Sequence, residues 1–134
     1  MTETPRGFDA FDDHTPFLDL VGPVQVRGDG AERVFGLRIE ERHLNHRGTA
    51  QGGLLATLVD FAVGRAIEAG LEGEAQQATV SLTTDFLGPV KEGAWLEAHV
   101  TVERIGSRLA FADCSLVADD REIVRGRAVF AVVS

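Results

Sequence analysis

The stretch that decides the fold is Gln51-Gly-Gly-Leu-Leu-Ala-Thr-Leu-Val-Asp-Phe-Ala-Val-Gly-Arg-Ala-Ile67. Apolar residues occupy almost every side of a helix drawn through this run, and a helix that is apolar all round is a buried helix. We expect it to cover residues 51–69 and to end at Gly70, because glycine is strongly favoured at helix C-termini. The rest of the chain must therefore supply the structure that covers one central helix.

The central helix contains groups that a purely structural helix does not need. Asp60 lies in its middle, and a buried carboxylate without a partner is so costly that Asp60 must be hydrogen-bonded, ion-paired or functional. Gly52 and Gly53 open the helix, where the first N–H groups have no intrahelical acceptor and glycine lets a ligand approach the backbone. Alternatively, Asp60 is a purely structural buried acid, and Gly52 and Gly53 form only a turn.

Composition limits the classes of protein to which the chain can belong. Its 134 residues suffice for one domain with a sizeable core, and a net charge of −8 without a basic run argues against a nucleic-acid partner. The single cysteine, Cys114, excludes an intrachain disulfide. The sequence has no signal-peptide pattern and no apolar run of transmembrane length. We therefore expect a cytoplasmic protein without a membrane partner.

A metal site is not expected from the residues near the helix start. His43 and His46 precede the helix, but no carboxylate or cysteine stands at ligand spacing beside them.

Alternation of apolar and polar residues predicts strands on both sides of the central helix. Before it, Thr15 and Pro16 begin a short helix over residues 15–21, and a hairpin follows over residues 24–40. Residues 1–13 are predicted to be loosely ordered, and residues 14–134 to form a single domain. After the helix, four stretches have strand character: 78–87, 94–105, 108–118 and 122–133.

The element order predicts an α+β fold in which a curved antiparallel sheet of about six strands wraps one long central helix. In the first strand after the helix, the alternation places Thr79 on one face and Val80, Leu82 and Phe86 on the other. One sheet cannot cover such a helix completely, so we expect subunits to associate.

The spacing of residues around the helix start resembles that of the PaaI-type (phenylacetate-degradation) acyl-CoA thioesterases, which have the hotdog fold. Those enzymes share His-x-Asn, two residues, Gly, two residues, His-Gly-Gly, six residues and Asp. The same order occurs here with one departure, because Gln51 stands in place of the histidine before the paired glycines. The resemblance extends over Pro16-Phe17-Leu18, residues 79–89 and residues 106–111. The matching motif residues are His43, Asn45, Gly48, Gln51, Gly52, Gly53 and Asp60.

Thioester hydrolysis needs a base or nucleophile and donors for the negative charge that develops on the carbonyl oxygen. Asp60 is the candidate base or nucleophile, and the Gly52 N–H is the candidate oxyanion donor. The eight residues between them span about 12 Å of helix, so one carbonyl cannot reach both in the same subunit. The catalytic site must therefore be shared between two chains, and the resemblance implies the same dimer-interface site.

The resemblance also implies roles for further residues. Asn45 positions the thioester or the attacking water, Thr79 assists the carboxylate, and Gln51 shapes the site without the charge that a histidine can take. For the substrate and its CoA, the candidate contacts are His43, Gly53, Arg104 and Arg108.

These observations predict a metal-free acyl-CoA thioesterase for a small, medium-chain or aryl acyl group, with no cofactor apart from the CoA of the substrate. The expected assembly is a homo-oligomer whose minimal active unit is a dimer, with a tetramer expected. An alternative is a hotdog protein that binds acyl-CoA or acyl carrier protein without hydrolysis. In that interpretation, Gln51 in place of the histidine marks the loss of catalysis. An enoyl-thioester hydratase is a further alternative, but none of the four histidines lies in the helix.

Overall fold

The computed structural model of the chain describes residues 3–133, and its elements are numbered here in chain order. Helix α1 is Pro16–Val21 and helix α2 is Gly52–Ala69. Short 3-10 turns lie at Gly30–Glu32 and Glu41–His43. The strands are β1 (Asp9–Ala10), β2 (Gln25–Arg27), β3 (Val34–Arg38), β4 (Gln76–Phe86), β5 (Trp95–Ile105), β6 (Leu109–Ala118) and β7 (Arg121–Val133).

All seven strands form one antiparallel sheet in the order β1-β2-β3-β5-β6-β7-β4. Helix α2 packs against β4, β5, β6 and β7. The core between them is formed by buried residues of α2, such as Val59 and Val63, and by inward-facing strand residues. The predicted α+β architecture of one sheet around one long helix is confirmed. Neither helix of the described chain is long and apolar enough to cross a membrane.

The N-terminal segment, for which loose order over residues 1–13 stays a prediction, contains a short strand. Strand β1 pairs with β2, which gives the sheet seven strands instead of about six. Phe8 packs edge-on against Trp95 with ring centroids 5.0 Å apart, and Phe11 packs against Phe35 and Phe61. These aromatic contacts join the N-terminal segment to the sheet and the core. Met1, Thr2 and Ser134, which the predicted ranges include, lie outside the described residues.

Both helices begin and end where the sequence predicts. The Thr15 hydroxyl accepts a hydrogen bond from the Leu18 N–H at 3.2 Å, and Pro16 occupies the first helical position. Gly70 ends α2 with an ordinary right-handed φ of −97°. A Cβ on Gly70 would lie 2.6 Å from Ile105 Cδ1, so the end of the Ile105 side chain would have to move.

Strand β4 is an edge strand with a β-bulge. Because of the bulge, its side chains are distributed over the two faces of the sheet differently from the prediction. The register against β7 shifts between Thr79 and Ser81, which leaves Val80 as the extra residue, 60% exposed. Thr79 consequently faces α2, on the same side as Leu82 and Phe86. The predicted separation of Thr79 from Leu82 and Phe86 is wrong, because one extra residue inverts the alternation.

Within one chain the sheet leaves a stripe of α2 uncovered. Nine residues of the helix are buried, whereas Gly53 is exposed and Ala56, Thr57 and Asp60 are half-buried. The carboxyl group in the middle of the apolar run is therefore at the boundary of the core and beside the edge strand.

Candidate active site

The start of α2 offers two accessible backbone donors. Gly52 and Gly53 are the first two helical residues, whose N–H groups have no intrahelical acceptor. A Cβ on Gly53 would meet no atom within 4 Å, and one on Gly52 would meet only the Phe86 ring, at 3.6 Å. The N–H of Gln51 donates to His43 O at 2.9 Å, which fixes the approach of the chain to the helix. Negative charge is stabilised at such a helix start by free N–H groups and by the helix dipole.

Asn45 folds the loop in front of the helix and retains donor capacity. Its amide oxygen accepts from the N–H groups of Arg47 and Thr49 at 2.9 and 3.2 Å. Its amide nitrogen donates one hydrogen to the Thr49 hydroxyl at 3.2 Å. An amide nitrogen has two hydrogens, so the second N–H is the group that Asn45 can offer to a ligand.

His43 ties the loop before the central helix to the backbone of the chain. The side chain is 3% exposed, and its Nδ1 accepts from the Glu40 N–H at 2.9 Å. Its Nε2 donates to the Val21 carbonyl at 2.6 Å, which ties the loop to the end of α1. Both ring nitrogens therefore bond to the chain's own backbone, and the predicted contact of His43 with substrate stays a prediction.

Gln51 is the N-cap residue of α2, and its exposed side chain makes no capping hydrogen bond. The amide is therefore not committed to holding the helix start. Its predicted part in shaping the site stays a prediction.

Asp60 and Thr79 form a hydrogen-bonded pair at the other end of the site region. The Thr79 hydroxyl donates to Asp60 Oδ1 at 2.6 Å, across the gap between α2 and the edge strand. The short distance is typical of an O–H donor to a carboxylate. The bond fixes the half-buried Asp60 carboxylate beside the edge strand β4.

The structure does not bring all predicted residues together in one chain. Strand β4 runs beside α2 so that Thr79 lies at Asp60 and Phe86 lies at Gly52. The two glycines and the carboxylate therefore lie apart within one chain, separated by about 12 Å along the helix.

The predicted CoA contacts Arg104 and Arg108 lie at the turn between β5 and β6, and both are exposed. Ile105, in the same turn, contacts Gly70 at the C-terminal end of α2. In a single chain these two arginines are therefore remote from Gly52.

A cleft of about 620 Å³ opens at the helix start, here called the Gly52 cleft. Residues that sequence reasoning did not single out line it, notably Arg47, Phe86 and Leu87. In the sequence, Arg47 follows Asn45 by two positions, and Phe86 and Leu87 directly precede the Gly88-Pro89 turn. These positions could have indicated that the three residues lie at the site. The lining residues are Asn45, Arg47, Thr49, Ala50, Gly52, Leu55, Phe86, Leu87, Gly88, Pro89 and Val90.

Other reactive groups offer no rival site. Burial raises the pKa of the Cys114 thiol to about 12, so this side chain is a protonated core residue near neutral pH. The described residues contain no group of three His, Cys, Asp or Glu side chains that could hold a metal ion.

Comparison with known proteins shows the family of the chain. A family model described as "Thioesterase superfamily" matches residues 47–124, which include the glycines, Asp60 and Thr79. The chain belongs to the thioesterase superfamily. A Pseudomonas aeruginosa protein named "Putative esterase" is 41% identical to this thioesterase-superfamily chain over 131 residues, covering 97% of the chain and 98% of the relative.

Two further proteins relate the thioesterase-superfamily chain to acyl-CoA thioesterases and to PaaI. The mouse protein acyl-coenzyme A thioesterase 13 is 34% identical over 80 residues, covering 60% of this chain and 56% of its own length. The structure of a variant of the phenylacetic acid degradation protein PaaI from Thermus thermophilus superposes with a TM-score of 0.78 at 25% identity. That match covers 87% of this chain and 98% of the PaaI chain. The predicted PaaI-like hotdog thioesterase family is confirmed.

Proposed function

We propose that this chain is an acyl-CoA thioesterase that hydrolyses a small, medium-chain or aryl acyl thioester in a site shared by two subunits. The observation that supports this most directly is the pair of half-sites on α2. One is the open Gly52 N–H at the helix start, and the other is the Asp60 carboxylate held by Thr79 at 2.6 Å.

The two half-sites supply what acyl transfer requires. The Gly52 N–H and the second amide N–H of Asn45 stabilise the carbonyl oxygen as it becomes negative. Asp60 either takes a proton from the attacking water or attacks the carbonyl carbon itself, and water then releases the acyl group. In both routes the C–S bond breaks, the thiol of CoA leaves with a proton and the acid is released. No metal or further cofactor is required.

The edge strand β4 favours a dimer that joins the half-sites. It has no neighbour on its outer side, and Val80, Phe86 and Leu87 on or beside it are 60%, 52% and 52% exposed. Long apolar edges are usually paired or covered. Antiparallel pairing with a second β4 about a two-fold axis at Thr83, with the bulge residue Val80 left out of the register, would set the partner's Thr79 opposite Phe86. The partner's Asp60 would then approach Gly52, as the mechanism needs.

The first test replaces Asp60→Asn, which keeps size and polarity but removes the base. We expect a loss of about 10²- to 10⁴-fold in kcat over a panel of acyl-CoAs, followed by thiol release. Size-exclusion chromatography with light scattering should show an unchanged oligomer. Full turnover in this variant would refute the proposal, and acyl-CoA binding without thiol release by the wild-type protein would support a non-hydrolysing binding protein instead.

Mixing two inactive variants tests the shared site. Gly52→Pro removes the oxyanion N–H at a position where helices tolerate proline, and Gln51 already has the extended φ and ψ that a following proline favours. Refolded with an equal amount of Asp60→Asn, it should regain about one quarter of wild-type activity. Half of the dimers are then mixed, and one of the two sites in each mixed dimer is intact. Gly53→Ala, which keeps its N–H and meets open space, is the matched control. No recovery would place both groups of each site in one subunit.

A further inference from the structure

A second cleft lies next to the Gly52 cleft, and cationic side chains line both. The second cleft, of about 590 Å³, shares Pro89 and Val90 with the first and is here called the Arg121 cleft. Its lining residues are Pro89, Val90, Lys91, Glu92, Gly93, Ala94, Ala118, Asp119 and Arg121. The two clefts are therefore adjacent, and together they are called the groove here.

Three cations converge on this groove from three different elements. Arg47 is the one charged residue that lines the Gly52 cleft. Lys91 is brought to the same loop by a backbone bridge between Thr49 and Lys91. Arg121 reaches across from β7, and its Nη1 is 3.9 Å from the point where a Cβ on Gly88 would lie.

These cations are available to a ligand. All three residues are exposed, and within residues 3–133 no ion pair involves Arg47, Lys91 or Arg121. By contrast, Arg125 and Arg127 on the outer sheet face are each bonded to a carboxylate. In a chain with a net charge of −8, the groove has three cations against two carboxylates, Glu92 and Asp119.

We propose that Arg47, Lys91 and Arg121 bind the phosphate groups of the CoA nucleotide, with the pantetheine arm lying in the Gly52 cleft. This rests on the proposed function, because it takes the thioester carbonyl to sit at the Gly52 N–H. The pantetheine arm alternates methylene groups with amides. The cleft matches it with an apolar wall at Leu55 and Val90 and a polar wall at Asn45 and Thr49.

Charge favours this end of the molecule over the opposite one. Among residues 3–133, the cleft at the C-terminal end of α2 is lined by Glu68 and Glu74 and by no cation, so it repels phosphate. Three separate cations also suit CoA, which has a pyrophosphate and a 3′-phosphate. The arm of a carrier protein has a single phosphodiester and needs only one cation.

The test compares thioesters of one acyl group that differ in their phosphates. Arg47→Gln, Lys91→Gln and Arg121→Gln should each raise KM for the acyl-CoA about three- to tenfold, more steeply at low salt, and leave kcat nearly unchanged. The same variants should hydrolyse the phosphate-free N-acetylcysteamine thioester at the wild-type rate. The substitution Arg47→Gln spares the backbone N–H that Asn45 accepts, so the loop is expected to fold normally.

Several outcomes would overturn the assignment. If the variants lost as much activity on the phosphate-free thioester as on acyl-CoA, the cations would stabilise the fold and would not bind the phosphates. Equal losses on an acyl-phosphopantetheine thioester would indicate a carrier-protein arm. A larger rise in KM from Arg104→Gln with Arg108→Gln than from the groove variants would place the nucleotide at the β5–β6 turn.

Calorimetric binding of CoA separates this proposal from the proposed function. Weaker binding of CoA by the three groove variants, and of 3′-dephospho-CoA by the wild type, supports the groove even if no thioester is hydrolysed. Unchanged CoA binding in all three variants refutes the groove whether or not the protein is a thioesterase.

Discussion

Replacing Thr79→Val tests the hydrogen bond on which the Asp60 half-site depends. Valine has nearly the same shape as threonine, so the change removes the donor that lies 2.6 Å from Asp60 Oδ1 and little else. A hydrogen bond to a charged group is worth about 1.5–3 kcal/mol. If that energy orients the carboxylate for reaction, kcat/KM should fall about 10- to 100-fold, because each 1.4 kcal/mol corresponds to about a factor of ten.

The assay is thiol release from the best acyl-CoA of a panel, measured for three variants side by side. Thr79→Ser keeps the hydroxyl and should stay within a few-fold of wild type. Thr83→Val is the matched control, because Thr83 is on the same strand but lines a cleft on the opposite face of the sheet. Thermal unfolding should change little in either valine variant, since Thr79 and Thr83 are both exposed within one chain.

Two results would refute this reasoning. Wild-type kcat/KM in Thr79→Val would show that the hydrogen bond does not contribute to the reaction. Equal losses in Thr79→Val and Thr83→Val would show that the effect comes from strand stability or subunit pairing and not from the orientation of Asp60.

Three further predictions concern the scaffold. Gly126→Ala should lower the free energy of unfolding by about 1–3 kcal/mol in denaturant titrations, because its Cβ would lie 2.8 Å from Cγ1 of the fully buried Val59; an unchanged midpoint would mean that α2 can shift. Cys114, with its pKa raised to about 12 by burial, should react with a thiol reagent only after unfolding, and rapid labelling of the native protein would contradict this. The Arg127 guanidinium lowers the pKa of Glu103, so Arg127→Gln should raise that pKa towards its ordinary value in an NMR titration.

The sequence was sufficient for the features set by local rules. The all-round apolar run predicted α2, the capping residues Thr15 and Pro16 predicted α1, and the alternation predicted the strands from β2 onward with ends within a few residues. The Asp60 side chain also has the partner that burial chemistry demanded. Each of these depends on residues close in sequence or on a strong periodic pattern.

Features that depend on tertiary contacts could not be predicted in the same way. The packing of the N-terminal segment depends on Phe8 and Phe11 meeting aromatic rings far along the chain. The role of His43 depends on α1 presenting the Val21 carbonyl to its ring. The groove cations come from a loop, a turn and a strand end, so no sequence window contains two of them.

The bulge at Val80 explains how one edge strand can serve both half-sites. Thr79 and Phe86 are seven residues apart, and in a regular strand residues an odd number apart point to opposite faces. One extra residue between them restores the same face, so that both side chains meet α2. A two-fold axis between them exchanges their positions but not the face of the sheet. Only with the bulge, therefore, can antiparallel pairing of two β4 strands bring the Asp60 of one chain and the Gly52 of the other to the same side of the joined sheet.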